Sequence, residues 1–186
     1  TVDNIDNKLL NKLFSNRKLS EHHNDLGYAY TFYIKVNDLK YKYNEDKEIF
    51  RKGKTNYNPR IYLDKTINNI HIDITNIDKH KETITIENIP IQTWLFIGVV
   101  LHNKTIDIYI NGELLQSHTL EKLPIDTLGS NITYGDNKGF DGSLNNLIYY
   151  FYPLSSLDIL YIYNKTKHLL QDTTDTKEKI NKILES

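Results

Sequence analysis

At 186 residues the chain has the length of one domain, enough to bury about two-thirds of its unfolded surface without covalent staples. It contains no cysteine, which excludes disulfides and cysteine-ligated zinc and fits a reducing compartment. Its 23 basic and 24 acidic residues give a net charge of -1, which speaks against nucleic acid as a partner, and no apolar run reaches the ~18–20 residues of a membrane span. Ile, Lys, Asn and Tyr make up 79 of the 186 residues, as an AT-rich coding sequence would produce, so abundant Asn and Tyr do not by themselves mark a binding surface. No signal peptide is visible, and a chain that opens on Thr1 can be a processed or excised piece.

Residues 1–24 are polar with one helical stripe, Ile5, Leu9, Leu10, Leu13 and Phe14, and Asp3 or Asn4 can cap it. Such a stripe docks on a partner chain, a membrane surface or its own domain. Residues 15–23 carry no period and read as a connection. The adjacent His22 and His23 would diverge on a regular element and make a poor zinc pair.

From Tyr28 to Val36 the even positions are apolar, which predicts a half-buried strand. Asn37–Asp46 is a polar loop carrying Tyr41 and Tyr43. Short strands are predicted at Glu48–Lys52 and, after Pro59, at Arg60–Leu63. Ile70, Ile72 and Ile74 alternate with His71, Asp73 and Thr75, and Ile84 and Ile86 alternate with Thr83, Thr85 and Glu87. Trp94–Leu101 is apolar on both faces, as a central strand should be, with Trp94 as a large body for the sheet centre. Thr105–Ile110 alternates again. Asn111-Gly112 is the strongest short hairpin signal, because a type I′ turn needs positive φ at both central positions, and Glu113–Ser117 returns.

Asn131–Tyr134 and Gly142–Tyr152 are the last predicted strands, with positive φ the expected reason for Gly139 and Gly142 around Phe140. Ser155 and Asp158 form a capping box for a helix carrying Leu157, Leu160, Tyr161 and Tyr163. The polar stretch Gln171–Thr176 separates it from a short last helix with Ile180, Ile183 and Leu184. Ten or so short strands, frequent turns, no internal repeat and helices only at the ends predict an all-β, antiparallel two-sheet sandwich. The expected layout is an N-terminal helical or linker extension over 1–24, a sandwich over 25–168 and a C-terminal helical tail over 169–186.

Four pieces in order carry a family resemblance: Tyr28–Asp38, Ile89–Ser117, Gly139–Ser155 and Ser156–Asn164. With their tryptophan strand, "YINGEL" hairpin and late "GF-x-G-x-L-x-N" strand they resemble a concanavalin A-like, laminin-G-like jelly roll over roughly 26–165. A looser similarity of wording links the chain to modules in proteins of large AT-rich DNA viruses. The resemblance implies a jelly-roll fold and a lectin-like or glucanase-like surface.

Glycoside hydrolysis, the enzymatic option on this fold, needs two carboxylates at one bond, and the resemblance implies an E-x-D-x-x-E strand. No Glu here begins that pattern, and Asp73 and Asp107 have no second carboxylate two residues on. There is no G-x-S-x-G elbow, P-loop or dinucleotide fingerprint. Laminin-G-like modules often hold Ca2+ at a rim, and Asp136, Asn137, Asp141 and, after a strand end, Asp64 are hard oxygen donors in suitable loops; Asp and Asn also serve such turns for their own sake. Asn103, Asn131 and Asn164 open N-x-T sequons, as expected by chance in so Asn-rich a chain.

Sugars offer C–H faces and hydroxyls, so Tyr41, Tyr43, Tyr57, Asn58 and Arg60 form the candidate ligand set. The expected function is a non-catalytic binding or structural module. Its partner would be a glycan or a protein, within a larger assembly such as a virion or a homo-oligomer held by the terminal helices. The alternative is a glycan-processing enzyme whose catalytic residues follow no recognised pattern. No cofactor other than Ca2+ is expected.

Overall fold

Period-two alternation turns successive side chains to opposite faces of a strand, and the described residues form ten strands. A computed structural model describes residues 27–127, 129–134 and 138–184, with helix side chains described as far as Leu170. In chain order the strands are β1 (Gly27–Asp38), β2 (Lys47–Lys52), β3 (Arg60–Leu63), β4 (Ile70–Thr75), β5 (Lys81–Ile86), β6 (Leu95–His102), β7 (Thr105–Ile110), β8 (Glu113–Thr119), β9 (Ile132–Tyr134) and β10 (Asp141–Tyr150), followed by helix α1 (Ser156–Leu184). They form two five-stranded sheets, β10-β1-β6-β7-β8 and β5-β4-β3-β2-β9, with every neighbour antiparallel. The two-layer sandwich is therefore as the alternation predicts.

The inward faces meet in one apolar core. Tyr30, Phe32 and Ile34 of β1, Ile97 and Val99 of β6 and Ile106 and Ile108 of β7 face Phe50, Ile61, Leu63, Ile70, Ile72 and Ile74 of the second sheet. Each such side chain contributes about 1.5–3 kcal/mol by leaving water. The β7–β8 reversal at Asn111-Gly112 has φ of 50° and 88°, as a type I′ turn requires. Asn111 also accepts a hydrogen bond from the Phe96 amide.

A second cluster lies on the outer side of the first sheet, and it corrects several expectations. β1 is buried on both faces, because Ala29 and Tyr33 pack with Phe96, Val100 and Tyr109 beneath Ile159, Ile162 and Leu170 of α1. The helix is one continuous element through the polar 171–176 stretch, where the sequence predicts a break. Its inward residues are Ile159, Ile162, Thr166 and Leu170, with Tyr163 packed beside them as expected, whereas Leu157 and Leu160 are 69% and 40% exposed. Trp94 precedes β6 and is half-buried against this second cluster, so it does not fill the sheet centre. Gly98 is the glycine of close approach: a Cβ there would meet Ile159 Cδ1 at 3.2 Å and Tyr109 Cβ at 3.3 Å. Gly142 is glycine for lack of room and not for positive φ, since its Cβ would lie 2.1 Å from the Lys35 carbonyl oxygen. The stripe Ile5–Phe14 and the His22-His23 pair lie outside the described residues.

The helix start is the predicted capping box. Ser155 Oγ accepts from the Asp158 amide at 3.2 Å, while the Asp158 carboxylate accepts from the Ser155 amide at 3.2 Å and its hydroxyl at 2.6 Å. Thr166 and Tyr33 share a hydrogen bond at 2.8 Å, and Tyr109 and Ser156 share one at 3.0 Å, tying α1 to the first sheet.

Candidate functional site

With its inner side spent on the core and its partner sheet capped by α1, the second sheet leaves one face uncovered among the described residues. Alternation decides what that face shows. Ile61 and Leu63 point inward, so Arg60 and Tyr62 point outward; Ile72 and Ile74 do the same for His71 and Asp73, and Ile84 and Ile86 for Thr83 and Thr85. β2 departs from strict alternation. Glu48 pairs with Tyr62 but Phe50 pairs with Ile61, so Ile49 is an extra residue on that strand. Ile49 and Phe50 are both buried, and the bulge turns Glu48 and Arg51, three positions apart, to the same outer face.

The register then lines up two rows across the strands. One runs Thr133, Arg51, Arg60, Asp73 and Thr83. The other runs Glu48, Tyr62, His71 and Thr85. Arg60 joins them: its Nε lies 3.3 Å from Glu48 Oε2, one terminal nitrogen 3.4 Å from Asp46 and the other 3.7 Å from Asp73. Burial works against the guanidinium charge, but the bond to Glu48 and the fields of Asp46, Glu48 and Asp73 outweigh it and hold the group charged. Arg51 also pairs with Glu48. The Arg60 guanidinium lies over the Tyr62 ring, 4.1 Å from its centroid, and Tyr57 is on its flank at 5.8 Å.

The remaining groups are fixed by their neighbours. Asp73 accepts from the Thr83 hydroxyl at 2.7 Å and from the Tyr62 hydroxyl at 3.4 Å. Burial first, then the Asp73 and Asp46 charges, push the Tyr62 phenol up to about 12, so it is a donor at neutral pH. His71 sits between Thr85 Oγ1 and Asp64 Oδ2, each at 3.0 Å; the carboxylate can only accept, so Nε2 donates to it. At Asp64, burial raises the carboxyl, but hydrogen bonds from the Thr66 amide, His71, the Ile67 amide and the Thr66 hydroxyl prevail and bring it down to about 2.

The sequence-derived ligand set is split by the structure. Tyr57 and Arg60 are together on this face. Asn58 is buried: its amide oxygen accepts from Tyr28 and its amide nitrogen donates to the Ile125 carbonyl, so its side chain holds the interior together. Tyr41 and Tyr43 are exposed on the β1–β2 turn. Of the calcium candidates, Asp136 and Asn137 lie outside the described residues, Asp141 accepts from Asn37 at 3.3 Å, and Asp64 is occupied as above. Among the described residues no group of three His, Asp or Glu is placed to hold a metal ion, and no helix is long and apolar enough to cross a membrane. Glu48, Tyr62, His71, Asp73, Thr83 and Thr85 are absent from the sequence-derived set. The signal for most of them was the Ile alternation, which names the outward positions once strand pairing is known.

Comparisons with known proteins agree with this architecture. The family model described as the concanavalin A-like lectin/glucanases superfamily, of the laminin-G type, matches residues 14–160. A search of curated protein sequences returns no match. Among solved structures, the botulinum neurotoxin serotype D binding domain is 18% identical with a TM-score of 0.62, covering 75% of this chain and 37% of that one. The serotype D ligand binding domain in complex with N-acetylneuraminic acid is 18% identical with a TM-score of 0.61, covering 76% and 38%. The receptor binding domain of the mosaic serotype C/D is 19% identical with a TM-score of 0.61, covering 75% and 36%. At these identities the likeness is one of fold, and the chain spans just over a third of the length of those structures.

Proposed function

Because the chain belongs to the concanavalin A-like lectin/glucanases superfamily, we propose that it is a non-catalytic recognition module that takes a glycan on the outer face of its second sheet. The observation that carries this reading is the pair of polar rows on a sheet face left open among the described residues. Amide-free donors and acceptors of fixed geometry stand there beside the half-buried ring of Tyr57, the mixture that sugar hydroxyls and C–H faces require. The neurotoxin domains named above are receptor- and ligand-binding domains, which supports a binding role.

A hydrolase is the disfavoured alternative. Glu48 and Asp73 do share the face, but the Arg60 guanidinium lies between them, within 3.3 Å of one and 3.7 Å of the other. A cation then fills the gap where the scissile bond would have to lie. A protein partner is the second reading, favoured by large apolar side chains exposed elsewhere: Phe151 at 78%, Leu157 at 69% and Leu114 at 53%. A larger assembly such as a virion, or a homo-oligomer held by the terminal helices, is a reading of the sequence alone. Calcium near 136–141 stands as a separate proposal.

A glycan array tests the main reading, run with calcium and again with a chelator. The protein is expected to give discrete hits that Tyr57→Ala weakens about tenfold or more while the melting curve stays in place. An array silent for the folded wild-type protein overturns the glycan reading in favour of a protein partner. Hits that vanish with the chelator assign calcium to the site.

A further inference from the structure

The charged groups on the candidate face are engaged within the protein, and its acids outnumber its cations. Four carboxylates (Asp46, Glu48, Asp64 and Asp73) stand there with two guanidinium groups, Arg51 and Arg60. Arg60 is shared among three of the acids, Arg51 is held by Glu48, and Asp64 takes the hydrogen of His71. The guanidinium plane that could meet a ligand carboxylate in a two-pronged bond is thus already turned on the protein's own acids. Lys81, the cation of the next outward pair on β5, is exposed beside Thr75 and stands outside both rows.

We propose that the ligand of this face is an uncharged, hydroxyl-rich saccharide and not a sialylated or sulfated one; the proposal rests on the glycan reading above. A sugar hydroxyl both donates and accepts. It can donate to spare lone pairs of the partly exposed Asp46 and Asp64 carboxylates and accept from N–H groups without disturbing a charge pair. An added carboxylate or sulfate would instead meet an excess of carboxylates. Like charges ~4 Å apart in water disfavour binding by a factor of about 5, and more where the groups are half-buried. In this the face is built for a different ligand charge from the N-acetylneuraminic acid present in the serotype D complex.

The test uses the full chain and paired glycans that differ only by a terminal sialic acid or a sulfate, titrated by calorimetry at low and high salt. The expected result is binding of the uncharged member at least about fivefold tighter than its acidic counterpart. Its affinity should change less than about twofold between roughly 50 and 500 mM NaCl, because no ligand charge is there to be screened. Preference for the sialylated or sulfated member, with affinity falling as salt rises, overturns the charge assignment and leaves the glycan reading standing. No binding to either member by a protein that melts cooperatively overturns both.

Discussion

At the scale of the residue, Arg60 is the group on which the outer face depends. It contacts a carboxylate of each row, and it holds Glu48 and Asp73, each 4% exposed, in place as acceptors. A half-buried ion pair of this kind yields little net stability, because desolvation consumes most of the Coulombic gain; its effect is to fix geometry. Asp64 does contribute to stability, and in a pH-dependent way. Burial would raise its carboxyl, but hydrogen bonds from Thr66, His71 and Ile67 hold it at about 2, below the ordinary value of 3.8. A carboxyl depressed in the folded state favours folding above the unfolded value and loses that contribution as pH falls toward the folded one. With a quarter of the side chain exposed, solvent screening trims the contribution to about 1–2 kcal/mol. The urea midpoints of wild type and Asp64→Asn, compared from pH 6 downward, are expected to lie apart near neutrality and to converge between about pH 4 and 2. A gap that stays constant over that window contradicts the role.

At the scale of the element, α1 decides how the first sheet is read. β1 carries Tyr28, Tyr30, Phe32, Ile34 and Val36 on one side and Ala29 and Tyr33 on the other, and only the first set has the period that marks a core. The second set becomes apolar interior because a helix from the far end of the chain lies on it. That helix is legible at its start, where Ser155 and Asp158 form the box, and only in part on its inward side. Leu157, Leu160, Tyr161 and Tyr163 are the apolar residues that stand out; Tyr163 does pack there, but Ile159, Ile162 and Thr166 are the ones that fit the sheet. Gly98 shows why: the hollow its missing Cβ leaves receives Ile159. Gly98→Ala is therefore expected to lower stability by about 1–2 kcal/mol through overpacking. Combining it with Ile159→Val, which removes the atom at 3.2 Å, is expected to cost less than the sum of the two single changes. Additive losses in a thermal-melt double-mutant cycle would mean that the two residues do not meet.

At the scale of the whole molecule, the Ile-rich alternation and Asn111-Gly112 made the sandwich legible, since both are local signals. The candidate site was legible only in Tyr57 and Arg60. The rows depend on register, and register here includes the Ile49 bulge that turns Arg51 outward; neither follows from any one strand's sequence. The two faces of the sandwich consequently have different roles, one sealed by α1 and one left polar. The sealed side carries the last prediction. Tyr33, Phe96, Val100 and Tyr109 are buried beneath α1, with Gly98 opening the hollow for Ile159. Exposing four such side chains forfeits roughly 6–12 kcal/mol at 1.5–3 kcal/mol each, as much as the whole stability of a typical domain. A chain ending after Tyr152 is therefore expected to lose its cooperative melt, to bind a hydrophobic dye and to aggregate. A truncated chain that melts cooperatively as a monomer, without dye binding, would show that the sandwich stands without its helix and that α1 is free for a partner.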